Sequence, residues 1–355
     1  MDIYFTSFLF YLLVAVIGSF LCFLYKGRFN IYVIILLTLI FGLRKGFGHD
    51  YEQYVNIFNV INIYGSNVSM ELGAIIINVF SYQTFGEEGY HFVFVSYTFL
   101  TLFFVNKSLK EYDCDKYLVI VIFLSGFIFF SNNAIRQALA ISFLMCNIKY
   151  LESSPYKYIA STLFSAIFFH YSAFIYLSFI FLPKTKISRL NSSLVLLVSL
   201  VVHFFGIIKP IFIFIVGFIP YYGSIYLERV VNFNTQEQGF GLVVILWYLM
   251  SAFFILHRDK VSGHIYNIYI LGNGLFLAGI QFEMWERIFI PFFYLGMIVL
   301  ALLIKHTLYR SLLNFFITTI MILTLTSLTS FQIMNNKNKN KVVPFDHVFL
   351  DNPLE

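Results

Sequence analysis

The strongest constraint in this sequence is its division into long apolar blocks separated by short polar stretches. The first block, Ile3 to Tyr25, exceeds the apolar core of a signal peptide and has no small-residue cleavage site, so we expect it to remain as a helix. With 59% apolar and 12% charged residues, the chain lies far from the balance of soluble domains. The sequence therefore predicts an all-α polytopic integral membrane protein, without a soluble catalytic or nucleic-acid-binding domain.

The blocks predict about 10–12 transmembrane helices. They form one domain over residues 1–331, and a polar, lysine- and asparagine-rich tail follows over 332–355. Twelve crossings would place both termini outside and leave Lys337, Lys339 and Lys341 on the disfavoured side. A tail that lies in the membrane interface, or one miscounted span, would resolve this conflict.

Most Lys and Arg residues lie between alternate blocks, which the positive-inside rule places in the cytoplasm. The opposite, outer side then holds the loops 44–89 and 209–238. This assignment requires the block 156–182 to turn back on itself as two short helices, with His170 at the outer turn. The short apolar piece that follows Ile208 is expected to be re-entrant or interfacial.

The loop 44–89 has a structure of its own. Asp50 resembles a helix cap, with Gln53 three residues later. An apolar stripe at helical spacing follows and predicts an amphipathic helix on the outer membrane surface: Tyr51, Tyr54, Val55, Phe58 and Ile61. A second short helix, predicted from Met70 to Phe80, carries Glu71 and Asn78 on one face.

Charged groups at membrane depth are costly, so the few present are candidates for function. Arg136 is the sharpest candidate, because the adjacent Asn132 and Asn133 are expected to cap a helix whose first turn holds the guanidinium. Free backbone N–H groups at that turn favour an anion, and a guanidinium suits a phosphate. Asn133 and Gln137 flank it. The simpler interpretation is an arginine that extends to the interface.

Other candidates lie on the same predicted side. Arg44 precedes glycines that permit close approach of a ligand, and Asp50 could transfer a proton; an ordinary basic helix end and cap explain both equally well. His170 is suited to act as a base or to donate to a phosphate, but a structural histidine at a helix break fits as well. Glu283 and Arg287 have the spacing of an intrahelical ion pair.

Two further features point to structure rather than to chemistry. Asp113-Cys114-Asp115 has the form of a metal-binding DxD motif, but it lies among lysines and is better explained as a solvated charge run. The three cysteines lack the CxxC spacing of a zinc site, and Cys22 and Cys146 lie inside apolar blocks. The sequence predicts no metal and no cofactor.

The sequence resembles the Wzy/EpsG-type polymerases of bacterial surface polysaccharides. The patches that carry the resemblance are Leu43–Tyr51, Met70–Leu72, Asn133–Ala140, Phe169–Ala173 and Glu286–Arg287. The pair Asn-x-x-Arg-Gln and Phe-His-x-Ser-Ala is the most distinctive. The early motif departs from the family pattern, because Gly48 and His49 intervene before Asp50.

The resemblance implies an enzyme of the bacterial inner membrane that takes oligosaccharide repeat units from undecaprenyl pyrophosphate and polymerises them on the periplasmic side. Besides this donor and the bilayer, a chain-length regulator and a flippase would be its partners, and nucleic acid would not. Pyrophosphate-binding residues would be Arg44, Arg136, Gln137, Asn133 and Arg287, and the candidates for proton transfer would be His170, Asp50 and Glu71.

Three alternatives stay open. An O-antigen ligase would use the same donor but typically has a larger outer loop than 209–238. A membrane acyltransferase could use His170 and Arg136, although its histidine is expected early in the chain. A lipid-linked oligosaccharide flippase predicts charges spread through the bundle, whereas here they gather on one predicted side.

Overall fold

The computed structural model describes residues 3–24, 30–48, 50–64, 70–216, 242–280 and 283–307. Of these, 86% are helical and none lies in a β-strand, which confirms the predicted all-α fold. The α-helices are α1 (Ile3–Leu24), α2 (Asn30–Gly42), α3 (Tyr51–Tyr64), α4 (Leu72–Phe85), α5 (Tyr90–Lys110), α6 (Leu118–Leu124), α7 (Phe127–Asn133), α8 (Ile135–Asn147), α9 (Tyr150–Ser153), α10 (Pro155–Phe168), α11 (Arg189–Phe204), α12 (Ile208–Val216), α13 (Leu242–Leu256), α14 (Gly263–Ala278) and α15 (Glu283–Thr307). Short 3₁₀ segments cover Gly86–Gly89, Asp115–Tyr117, Tyr171–Phe181 and Arg258–Lys260.

The first of two compact units comprises the described residues up to Ile180 together with 300–307. Helix α5 packs against α2 and α8, while α1 packs against α6. A buried amide ties α2 to α5, because Asn30 Nδ2 donates to Asn106 Oδ1 at 2.5 Å and to the Asp115 carbonyl at 2.8 Å. Such polar contacts between helices stabilise packing where the surroundings offer no water.

Helices α4 and α5 form a hairpin within the continuous helical run 72–110. The ring centroids of Phe80 and Phe92 are 5.9 Å apart, whereas 12 residues of straight helix would separate them by about 18 Å. Gly86 has a φ of +64°, which a glycine adopts without strain, and it ends α4. The turn Gly86–Gly89 therefore reverses the chain direction, so that α5 runs back along α4. Within the run 72–110, α5 is the longer apolar helix.

Two described helical stretches are long and apolar enough to cross a membrane, and two bent pairs raise this to as many as four. The stretches are 72–110 and 288–306; the pairs are α6 with α7, bent by 70°, and α11 with α12, bent by 82°. The sharp bend before α12 agrees with the expectation that the piece after Ile208 does not continue its span. The count of about 10–12 spans stays a prediction.

Helix α3 confirms that the loop 44–89 holds an amphipathic helix, whereas its position on the outer membrane surface stays a prediction. It runs from Tyr51 to Tyr64 and buries the Tyr51, Phe58 and Ile61 side chains, while Glu52 and its polar neighbours are exposed. Its buried face packs against α4 and α5. The 3.6-residue periodicity was sufficient to identify both the element and its inner face.

The predicted reversal at His170 is present. Helix α10 ends at Phe168 and the 3₁₀ segment begins at Tyr171. The Tyr158 hydroxyl donates to the Tyr176 carbonyl at 2.8 Å, so residues on either side of the break lie next to each other. The apolar block 156–182 is therefore two short antiparallel pieces.

The second compact unit comprises the described residues of 181–299. Helix α11 packs against α13 and α14. The Asn267 side chain donates to the carbonyls of Pro183 and Thr185 and accepts the Ile187 N–H, which fixes the segment before α11. Residues 217–241, which include most of the predicted outer loop 209–238, and the tail 332–355 lie outside the described residues.

Candidate functional site

Glu71 and Arg136 form an ion pair between two elements that are far apart in sequence. Glu71 is the residue before α4, and Arg136 is the second residue of α8. The Arg136 guanidinium contacts the Glu71 carboxylate directly through Nη1 and Oε2. The Glu71 side chain is 3% exposed and that of Arg136 is 20% exposed, so this is a mostly buried pair with one accessible edge.

A close backbone approach brings the start of α4 to the end of α10. A Cβ atom on Gly73 would lie 2.3 Å from the Phe168 carbonyl oxygen, so only glycine fits there. Because of this approach, the second carboxylate oxygen of Glu71, Oε1, accepts a long hydrogen bond of 3.4 Å from the Tyr171 N–H. The carboxylate thus joins Arg136 on one side to the chain break at His170 on the other.

The contacts of the His170 ring favour one tautomer. Its Nδ1 accepts the Ser172 backbone N–H at 3.1 Å and lies 2.7 Å from the Ser172 hydroxyl. A ring nitrogen that accepts an N–H carries no proton, so neutral His170 is protonated at Nε2. The neutral ring is therefore suited to donate a hydrogen bond from Nε2 rather than to accept a proton there.

Aromatic side chains enclose the ion pair. The Arg136 guanidinium carbon lies 5.8 Å from the centroid of the Tyr54 ring, within cation–π distance. Burial raises the pKa of the Tyr54 hydroxyl, although the nearby Arg136 charge opposes this, so the phenol is neutral. Tyr97 from α5 interacts electrostatically with Arg136, Tyr54 and Glu71. The site combines one cation, one carboxylate and two neutral hydroxyls.

Residues 27–347 match the EpsG family. The chain belongs to the EpsG family. EpsG is a Wzy-type polysaccharide polymerase family of bacterial membrane proteins, so membership supports a role in polysaccharide polymerisation by a glycosyltransferase-like enzyme. No curated protein and no solved structure matches the chain.

Arg44 of this EpsG-family chain is fully buried, and each of its three guanidinium nitrogens donates to a backbone carbonyl. Its Nε, Nη1 and Nη2 donate to the carbonyls of Phe47, Phe41 and Asn132 at 3.0, 2.8 and 2.9 Å. Its guanidinium carbon also lies 4.4 Å from the centroid of the Phe94 ring. These contacts connect the loop after α2 to the break between α7 and α8.

The polar residues before α8 do not cap that helix, which corrects the sequence-based expectation. Ala134 occupies the cap position, without a side-chain cap hydrogen bond. Instead, Asn132 Nδ2 donates to the Ile128 carbonyl at 2.7 Å, and Asn133 Oδ1 accepts the Asp50 backbone N–H at 3.0 Å. Asn133 therefore connects the start of α3 to the start of α8.

Within the first compact unit, the structure brings together most of the predicted site residues. The Glu71 carboxylate contacts Arg136 on one side and the Tyr171 N–H, next to His170, on the other. The backbone N–H of Asp50, at the start of α3, donates to Asn133. Gln137 is buried next to Arg136 in α8. The backbone of Arg287 lies in α15, but its side chain is outside the described part of the chain.

Three contributors were missed from the sequence: Gly73, Tyr54 and Tyr97. Tyr54 was assigned to the apolar stripe of α3, and Tyr97 lies within the block 90–105, which was assigned to membrane packing, so neither was read as a site residue. Gly73 follows Glu71 by two residues and offers no side chain to interpret. Among the described residues, no group of three or more His, Cys, Asp or Glu side chains could hold a metal ion.

Proposed function

We propose that this chain polymerises oligosaccharide repeat units carried by undecaprenyl pyrophosphate, and that the Glu71–Arg136 pair marks its donor site. The observation that supports this is the mostly buried guanidinium, held by one carboxylate beside the break at His170. Guanidinium groups bind phosphate oxygens with the same planar fork that binds carboxylates. A diphosphate can therefore take the place of Glu71 on Arg136.

The proposed reaction is a glycosyl transfer. A hydroxyl of the acceptor sugar attacks C1 of the donor's reducing-end sugar, a new C1–O bond forms, and the bond from C1 to the phosphate oxygen breaks. Undecaprenyl pyrophosphate leaves with the bonding electron pair, and Arg136 stabilises its developing charge. The acceptor proton passes to the Glu71 carboxylate, which the diphosphate has released from its ion pair.

His170 is proposed to donate its Nε2–H to the departing diphosphate. This role follows from the tautomer set by Ser172, which gives neutral His170 a donor on that nitrogen. The proposal favours Glu71 over His170 as the base. Asp50 remains a second candidate for proton transfer, since its backbone is held by Asn133 near the start of α8.

The other predicted binding residues receive different roles. We propose that Arg44 is a positioning residue, because its guanidinium is fully buried on three carbonyls. Asn133 acts in the same way through Asp50. Gln137 and Arg287 remain proposed diphosphate-binding residues, on the family resemblance.

The proposed sidedness places this site on the periplasmic face of the bacterial inner membrane. It is supported by the excess of Lys and Arg in the loops at the opposite end of the predicted spans. The Gly86–Gly89 turn and helix α3 would then be outside. A flippase would deliver the donor to this face, and a chain-length regulator would act on the growing polymer.

The experiment that tests the function is a polysaccharide gel from cells that lack the gene, complemented with variants at Arg136. Arg136→Ala is expected to abolish the polymer ladder and to leave a single-repeat product. Arg136→Lys keeps the charge but loses the planar fork, so we expect strong loss as well. Arg189→Ala is the matched control, because Arg189 pairs with Asp259 at an exposed position.

Each outcome separates the proposal from its alternatives. A full ladder with Arg136→Ala contradicts the donor-site assignment. Absence of even the single-repeat product in the deletion strain would indicate a flippase or a ligase. An unchanged ladder with altered acylation would indicate an acyltransferase.

A further inference from the structure

The Tyr97 hydroxyl is a buried polar group without a hydrogen-bond partner among the described residues. Tyr97 is 2% exposed and lies in α5, seven residues after its first residue, which is a depth of about 10 Å along the helix. Its ring packs in a cluster with Phe94, Ile135 and Leu139. Burial of an unpaired hydroxyl destabilises a protein, so the position requires an explanation.

A second unpaired donor lies on α8, the helix that packs against α5. The Nε–H of Arg136 is also buried without a partner in the described part of the molecule, because Glu71 contacts only the Nη1 end of the guanidinium. Ile135, the neighbour of Arg136, belongs to the same cluster as Tyr97.

Both groups can donate to one hydrogen-bond acceptor, and the positive charge of Arg136 favours an acceptor that is negatively charged. Glu71 cannot supply it alone, since its second oxygen faces the Tyr171 N–H. A phosphate group offers several acceptor oxygens in a compact volume and can accept from a hydroxyl and a guanidinium together. A phosphate oxygen at this position would satisfy both donors, at the inner wall of the site.

We propose that Tyr97 is a donor-binding residue whose hydroxyl, together with the Arg136 Nε–H, binds one phosphate of the polyprenyl diphosphate. This inference rests on the proposed function and adds a residue to the same site. It explains why a hydroxyl is kept in the apolar packing of α5, where phenylalanine would fill the same space. The second phosphate is then the one that displaces Glu71 from the Nη1 end of the guanidinium.

The test uses the full chain in lipid nanodiscs, with undecaprenyl diphosphate as the probe. We expect Tyr97→Phe to weaken binding about tenfold or more, the usual effect of losing a hydrogen bond to a charged group. The melting temperature without ligand should be unchanged or higher, because the substitution removes an unpaired buried hydroxyl. Tyr269→Phe, at another buried tyrosine in the second unit, is the matched control and should bind as the wild type does.

The outcomes distinguish this inference from the proposed function. Normal binding by Tyr97→Phe, with loss of binding by Arg136→Ala, overturns the role of Tyr97 and leaves the donor site intact. Failure of the wild type to bind the probe overturns both. A fall in melting temperature without ligand would assign Tyr97 to packing and overturn its binding role. Inorganic pyrophosphate tests the head group alone. Weaker binding of pyrophosphate by Tyr97→Phe than by the wild type would support a direct phosphate contact.

Discussion

At the scale of single residues, the central feature is a charge pair that its surroundings make expensive to break. The Glu71 carboxylate is almost fully buried, and the Arg136 guanidinium retains one accessible edge. Burial of either charge alone would cost several kcal/mol, so each charge can be buried only because the other is present. The exposed edge is where a competing anion can enter.

The first prediction concerns Glu71→Gln, which keeps the side-chain shape and removes its charge. We expect the free energy of unfolding to fall by about 3 kcal/mol, because Arg136 is left without its counter-charge. The measurement is denaturation of the purified protein in detergent. Adding Arg136→Gln should recover part of this loss, as expected for coupled neighbours, and strictly additive losses would contradict the pairing.

The second prediction separates the two buried arginines. In Arg44→Lys, a single ammonium group cannot donate to all three carbonyls in the geometry of the guanidinium. We therefore expect the free energy of unfolding to fall by about 2 kcal/mol. Polymer formed per folded molecule should remain close to the wild-type value, in contrast to Arg136→Lys. Quantitative blots alongside the polysaccharide gel provide the normalisation. A selective loss of activity with normal stability would return Arg44 to a direct role at the substrate.

Sequence reasoning found the charged residues of the site but not their relationships. Arg136 stood out because charged groups are rare at membrane depth, whereas Glu71 was named as an outer carboxylate on the family resemblance. Their pairing joins positions 65 residues apart and depends on packing that no local pattern encodes. For the same reason the sequence could not distinguish Arg44, whose guanidinium donates to three carbonyls, from an arginine that faces a ligand.

At the scale of helices and loops, close backbone contacts determine where the functional groups lie. A Cβ on Gly73 would collide with the Phe168 carbonyl, and a Cβ on Gly48 would lie 2.7 Å from the Asn132 carbonyl. Gly48 also has a φ of +103°, which disfavours other residues. Two glycines thus fix the approach of α4 to α10 and of the loop before α3 to the end of α7.

The third prediction tests the first of these contacts. Gly73→Ala should push the start of α4 away from α10, and we expect the polymer ladder to be lost or strongly shortened while the chain still inserts into the membrane. Gly18→Ala is the matched control, because its Cβ would meet only the methyl groups of Val119, at 3.2 Å. Wild-type polymer from Gly73→Ala would show that the Glu71 position tolerates a shift.

Periodicity predicted some elements and missed others for a clear physical reason. Helix α3 alternates apolar and polar faces, so its position and inner face could be read directly. The block 117–130 was read as one apolar span, and its 70° bend between α6 and α7 was not foreseen. Gly126, with a φ of +69°, lies at this bend, and the preceding Ser125 makes the Ser-Gly pair that could have indicated a turn.

At the scale of the whole molecule, α5 is the natural reference for orientation. It has 21 residues, about 31 Å of helix, which matches the hydrocarbon thickness of a bilayer. The acidic turn Gly86–Gly89 lies at one end, and the basic Lys107 and Lys110 lie at the other. The positive-inside rule therefore predicts opposite sides for these two ends.

The fourth prediction tests this orientation with cysteine labelling. In intact cells, a membrane-impermeant maleimide should label Glu87→Cys, whereas Lys110→Cys should react only after permeabilisation; both positions are exposed. The native thiols give little background, because all three are buried and burial raises the pKa of Cys114 to about 11. The opposite labelling pattern would place the candidate site on the cytoplasmic side.

The reversal at His170 also has a consequence for the surrounding lipid. Helix α10 has 14 residues, about 21 Å, which is some 10 Å shorter than the hydrocarbon slab it enters. We expect the bilayer to be thinned beside α10 to match this short element, at a cost that grows with acyl-chain length. Such a depression would let a charged lipid head group descend toward His170 without leaving water, so the thickness of the host membrane would set how easily the donor reaches its site.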